Sequence, residues 1–118
     1  MFLSTDDMLG RADGATVDKD GNYWCAMVEG WAVIAVDPGG KIVERIELPD
    51  EFPTMCTFGD PNLDVLYVTS SRMRLNEQGR ESQPLSGNVL AVKGIGTRGL
   101  AAWKFGAPSG VSSAGLQP

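Results

Sequence analysis

Gly10-Arg11-Ala12-Asp13-Gly14-Ala15-Thr16-Val17-Asp18-Lys19-Asp20-Gly21-Asn22-Tyr23-Trp24-Cys25-Ala26 decides how the chain folds. Ala15 and Val17 alternate with Thr16 and Asp18, which is the two-residue period of an extended strand. The run from Tyr23 to Val28 is aromatic and apolar, as a buried strand would be. Between them, Asp18-Lys19-Asp20-Gly21-Asn22 concentrates residues that tolerate left-handed backbone and bond their own main chain. The unit reads as strand, acidic turn, strand.

Working downstream, Glu29-Gly30 supplies a second turn and Trp31 to Val36 a third strand, broken by Asp37-Pro38-Gly39-Gly40. Lys41 to Leu48 sets Ile42, Ile46 and Leu48 among charged residues, the mark of an outer strand with one wet face, and Pro49 ends it. Four strands in a row make an antiparallel meander. The pattern then restarts about 40 residues on, with Thr54-Met55-Cys56-Thr57-Phe58 answering Asp13-Gly14-Ala15-Thr16-Val17 and Tyr67 answering Trp24. Asn88 to Val92 and Ala102-Trp103-Lys104-Phe105 complete the second copy, after a polar insertion from Arg72 to Gly87. A four-stranded unit at this spacing is a β-propeller blade, so the chain is expected to be all-β and to hold two blades. Blade one covers about 12–49 and blade two about 53–106, within a partial propeller of residues 1–106. The Pro/Gly-rich stretch 107–118 is expected to be a flexible tail. The insertion is expected to be a mobile surface loop or a lid over the propeller mouth.

Composition narrows the chemistry. The chain of 118 residues carries 10 Lys plus Arg against 15 Asp plus Glu, a formal charge of -5, so the basic footprint of a nucleic-acid binder is missing. No apolar stretch is long enough to cross a membrane as a helix, and the N-terminus lacks a leader pattern, so a cytoplasmic protein is expected. Cys25 and Cys56 form no metal-binding pair and read as buried free thiols. With no His in the chain, Ser–His and Cys–His nucleophiles are excluded, leaving carboxylates or a metal for any hydrolysis.

Two acidic sites compete. Numbered from Asp18, an EF-hand loop would use Asp18, Asp20, Asn22 and Glu29, but its obligatory sixth-position glycine is Tyr23 and its flanks are strands, so a structural hairpin turn is expected instead. Asp13 opens an innermost strand just before Gly14, where a carboxylate would face the funnel between blades. It could serve a hard cation there or simply stabilise a turn. Trp24, Trp31 and Trp103 are expected in the core between blades.

Gly10-Arg11-Ala12-Asp13-Gly14, Val17-Asp18, Gly21-Asn22-Tyr23-Trp24-Cys25-Ala26, Pro53-Thr54, Phe58-Gly59, Leu66-Tyr67-Val68-Thr69-Ser70, Gln83-Pro84-Leu85-Ser86-Gly87 and Gly99-Leu100 together resemble the C-terminal part of the gluconolactonase/regucalcin (senescence marker protein) family. The resemblance implies a six-bladed propeller that hydrolyses sugar lactones to aldonic acids, a carboxylic ester hydrolase. It also implies a divalent metal (calcium, zinc, manganese or magnesium) held near the axis by a Glu, an Asn and an Asp. The Asp of its G-x-x-D-G motif falls on Asp13, which makes Asp13 the metal ligand and the catalytic base. Ala12 stands where the family usually has Pro, and the Glu and Asn have no counterpart here. Missing N-terminal blades would supply them, whereas a homo-oligomer of three two-blade copies would instead gather three Asp13 carboxylates around the axis to hold a cation. The alternative is a non-catalytic propeller fragment or interaction module.

Overall fold

The structure, a computed structural model, describes Leu3, Ser4, Asp6 and residues 8–100. Four strands, β1 (Arg11–Val17), β2 (Tyr23–Val28), β3 (Ala32–Val36) and β4 (Ile42–Glu47), pair antiparallel in chain order as one sheet. A second sheet holds β5 (Pro53–Gly59), β6 (Val65–Ser70) and β7 (Leu90–Val92) in the same order. The expected strand at Ala102 to Phe105, Trp103 within it, and the stretch 107–118 lie outside the described residues.

Burial explains the residue choice. Every residue from Trp24 to Met27 and from Ala32 to Val36 is buried, because β2 and β3 are covered on both faces; their apolar runs therefore do not alternate. One face meets the second sheet, where Trp24, Val33 and Ala35 pack with Cys56, Phe58, Leu66 and Val68. Within this layer the Trp24 and Phe58 rings stand edge to face, with centroids 6.0 Å apart. On the other face Cys25, Met27, Ile34 and Val36 are covered in part by Leu3, Met8 and Ala15. β4 is the wet outer edge: Glu44, Arg45 and Glu47 are exposed, and charge on an edge strand discourages pairing with other chains.

Two sequence-based expectations change. Trp31 is half-buried in the turn between β2 and β3 and belongs to neither core cluster, because its backbone turns left-handed there (φ 58°) and removes it from β3. The insertion, expected to be a loop, contains a short helix, α1 (Glu77–Ser82), whose N-cap Asn76 side chain accepts from Gly79 N at 2.7 Å. Buried Gln83 clasps the loop before β5: its Oε1 accepts from Glu51 N at 2.8 Å and its Nε2 donates to Glu51 Oε1 at 3.4 Å. Ser86 Oγ donates to Ser71 O at 3.2 Å, tying down the far end of the insertion.

Candidate functional site

β1 leaves its register at the residue of interest. Ala12 pairs with Met27 and Ala15 with Cys25, so Asp13 and Gly14 together face the single residue Ala26 in a β-bulge. A bulge re-aims the side chains around it. Asp13 is exposed, and among the described residues its carboxylate makes no hydrogen bond or ion pair. Gly14 is there for a different reason, close approach. A Cβ on it would lie 2.8 Å from Thr54 O and 2.9 Å from Met55 Cα, so β1 and β5 abut backbone to backbone.

Where the two strands abut, a cleft of about 390 Å³ opens, lined by Arg11, Ala12, Asp13, Val28, Phe52, Thr54, Ser71 and Arg74. This lies within the range of small-ligand sites. Two guanidinium groups share one acid at its edge: Arg11 Nη2 and Arg74 Nη1 each lie 3.2 Å from Glu29 Oε1. Arg74 also sits 5.9 Å from the centre of the Phe52 ring, a cation–π placement. Glu29 holds its position from a left-handed backbone (φ 65°), a conformation that costs a non-glycine residue roughly 1–2 kcal/mol. Under the cleft, Cys56 Sγ donates to Trp24 O at 3.3 Å, and burial pushes this thiol up to about 12, with Cys25 adding to the rise. Burial also raises the Cys25 thiol; the Asp13 backbone offsets part of this and the Asp13 charge adds to it. Both cysteines are free and buried, as expected from the sequence.

The acidic turn is structural. Asp18 is fully buried and both carboxylate oxygens point inward. Oδ1 accepts from Asp20 N at 2.8 Å and Asn22 N at 3.0 Å; Oδ2 accepts from Asn22 Nδ2 at 3.0 Å and Trp24 Nε1 at 2.8 Å. Burial works to raise its pKa, and the bonds from Trp24, Asn22 and Asp20 outweigh it, leaving the carboxyl below its ordinary value. Gly21 closes the hairpin at φ 84°. Glu29, the twelfth residue of the hypothetical EF-hand, is engaged with the two arginines instead. A second cleft of about 320 Å³, lined by Lys19, Asp64 and residues 94–98, lies past the far end of β1 from Asp13.

The structure places Asp13 in a cleft but brings no other acid or thiol to it in a metal-binding group: among the described residues no three His, Cys, Asp or Glu side chains cluster. Hard cations take several oxygen ligands, so these residues alone do not fit a divalent ion. The sequence reading missed Arg11, Glu29 and Arg74 as a set. Glu29 is 18 positions from Arg11 and 45 from Arg74, and only the blade geometry joins them.

Comparison with known proteins agrees with this architecture. A 6-deoxy-6-sulfogluconolactonase from Pseudomonas putida is 42% identical over 84 residues, covering 71% of this chain and 29% of that protein. Regucalcin from Xenopus laevis is 36% identical over 97 residues, covering 81% of this chain and 32% of its own. The chain therefore spans about a third of the length of these relatives. Among solved structures, a calcium-binding protein, regucalcin, from Agrobacterium tumefaciens superposes with a TM-score of 0.79 at 29% identity, covering 85% of this chain and 34% of that one. A luciferin-regenerating enzyme superposes at 0.70 and 33% identity, covering 82% and 32%. The two antiparallel sheets are thus blades of the six-bladed propeller these proteins share. Residues 1–72 match the family model described as SMP-30/Gluconolactonase/LRE-like region, and the chain belongs to that family.

Proposed function

We propose that this chain supplies part of the active site of a sugar-lactone hydrolase, with Asp13 as general base. One observation carries the reading: a carboxylate re-aimed by a bulge stands exposed and unpartnered, among the described residues, on the wall of a cleft of small-ligand size. In that role Asp13 takes a proton from the attacking water as the water's oxygen adds to the lactone carbonyl. The ring C–O bond then breaks, the departing ring oxygen takes up the proton that Asp13 removed from the water, and the product is an aldonic acid with a free hydroxyl. The remainder of the cleft comes from outside the described residues, either from further blades or from other copies of the chain. A divalent cation, if the assembled protein uses one, would draw Asp13 as one ligand among several, and no step here is assigned to it.

The test is lactone turnover followed by pH-stat with gluconolactone as substrate. Asp13→Asn should lower turnover at least about a hundredfold, the lower end of what a general base contributes. Undiminished turnover in the variant would remove Asp13 from the mechanism. A second reading, a non-catalytic propeller module, is favoured by the solitary carboxylate. It prevails if the wild-type protein, shown to be folded, gives no turnover at all.

A further inference from the structure

Arg11 and Arg74 are over-provided with charge and donors for the one acid they share. Two guanidinium groups meet a single carboxylate oxygen, Glu29 Oε1, each through one nitrogen. A guanidinium carries five N–H donors in a planar fork. Neither guanidinium makes any other hydrogen bond or ion pair among the described residues. Among the described residues the Arg11–Arg74–Glu29 group therefore carries one net positive charge, set against the negative charge of Asp13 on the same cleft wall, and keeps most of two donor forks. Both arginines line the same cleft as Asp13. Arg74 is held by the Phe52 ring as well as by Glu29, so one fork is oriented in advance. Glu29 is held out from a left-handed backbone position, and exposed ion pairs of this kind are worth at most about 1 kcal/mol, so it yields readily to a stronger anion.

We propose that Arg11 and Arg74 form an anion subsite that binds an oxyanion substituent, a phosphate or sulfonate, on the sugar lactone whose carbonyl is presented to Asp13. Forked N–H donors match the paired oxygens of such groups. Asp13 would repel the same group, so the two charges fix which end of the substrate lies where. The proposal rests on the lactone-site reading of the cleft and names its substrate class. The cation–π and ion-pair contacts act in the free protein as a rest position for Arg74, from which the incoming anion displaces Glu29.

The experiment is calorimetric titration of the full chain with three probes: 6-phosphogluconate, gluconate and inorganic phosphate. 6-Phosphogluconate should bind at least about tenfold more tightly than either of the others, the scale of one charge-assisted contact. Arg74→Gln and Arg11→Gln should each weaken it about tenfold, whereas Glu29→Gln should tighten it several-fold by freeing both forks. Lys41→Gln, in the turn before β4, should leave it unchanged. Equal affinity for inorganic phosphate would reduce the site to a general anion patch and overturn the substrate assignment. Equal affinity for gluconate, or no loss in either arginine variant, would overturn the subsite itself. Asp13→Asn separates the two proposals, since it should abolish turnover yet retain or improve 6-phosphogluconate binding. If binding persists while no lactone is ever hydrolysed, the catalytic reading fails and the anion subsite stands.

Discussion

Asp13 and Thr54 stand at the same step of successive innermost strands, each where one residue too many is inserted against the partner strand. In β5 the register shifts between Pro53 and Met55, leaving Thr54 as the extra residue, just as it shifts around Asp13 in β1. The two bulges flank one cleft. Their side chains have opposite fates: the Thr54 hydroxyl is paired with that of Thr69 at 2.9 Å, whereas the Asp13 carboxylate is left to solvent. The bulge belongs to the blade and the carboxylate to the first blade alone.

Because β1 and β5 touch through backbone at Gly14, Gly14→Ala should push the sheets apart. Two of the three atoms its Cβ would meet, Thr54 O and Met55 Cα, are main chain and cannot rotate away. Overpacking of this kind costs about 1–3 kcal/mol. Urea denaturation of Gly14→Ala should show that loss, and shortening the third neighbour in a Gly14→Ala/Met55→Ala double variant should not restore it. A wild-type midpoint would show that the strands have room.

Asp18 predicts an acid limb in the stability profile. Its carboxyl lies below the ordinary value of 3.8 in the folded chain, so folding favours the ionised form. That contribution is complete above 3.8 and disappears as pH falls through the lower folded value. Asp18→Asn should be less stable near neutrality by about 1–3 kcal/mol, since its amide would oppose N–H donors. Its unfolding midpoint should also fall less steeply than that of the wild type on acidification. Parallel acid limbs in the two proteins would contradict the assignment.

Neither thiol should react in the folded protein. Cys56 is 1% and Cys25 2% exposed, and both are shifted away from the reactive thiolate, Cys56 to about 12. A chromogenic disulfide reagent at mildly alkaline pH should label none of the 2 cysteines natively and both in denaturant. Rapid native labelling would mean that the sheets separate under native conditions.

The strands were readable where local pattern and tertiary environment agree. The meander β1 to β4 and the restart at Pro53 follow from period and turn residues, and the hairpin role of Asp18 from its neighbours. Trp31 misled because its residue type favours a strand while Gly30 and the tight turn impose a left-handed backbone. Helix α1 escaped because six residues are too few for a helical period, although Asn76 ahead of Glu77 was a usable cap signal. Asp13, which lines the cleft, was singled out by motif. Arg11, Glu29 and Arg74 were not, since exposed charges carry no periodic signature and their meeting is a product of how the sheets face each other.

The simple strand order has a consequence for how such a chain comes to be folded during synthesis. Every described strand pairs with one adjacent to it in sequence, and the four strands of the first sheet are joined by short turns, whereas β6 and β7 are separated by the whole insertion. The first sheet is therefore expected to complete its hydrogen bonding while the second is still being translated. The emerging β5 would then find a finished surface, with Trp24 already fastened to Asp18, against which Cys56 and Phe58 can settle.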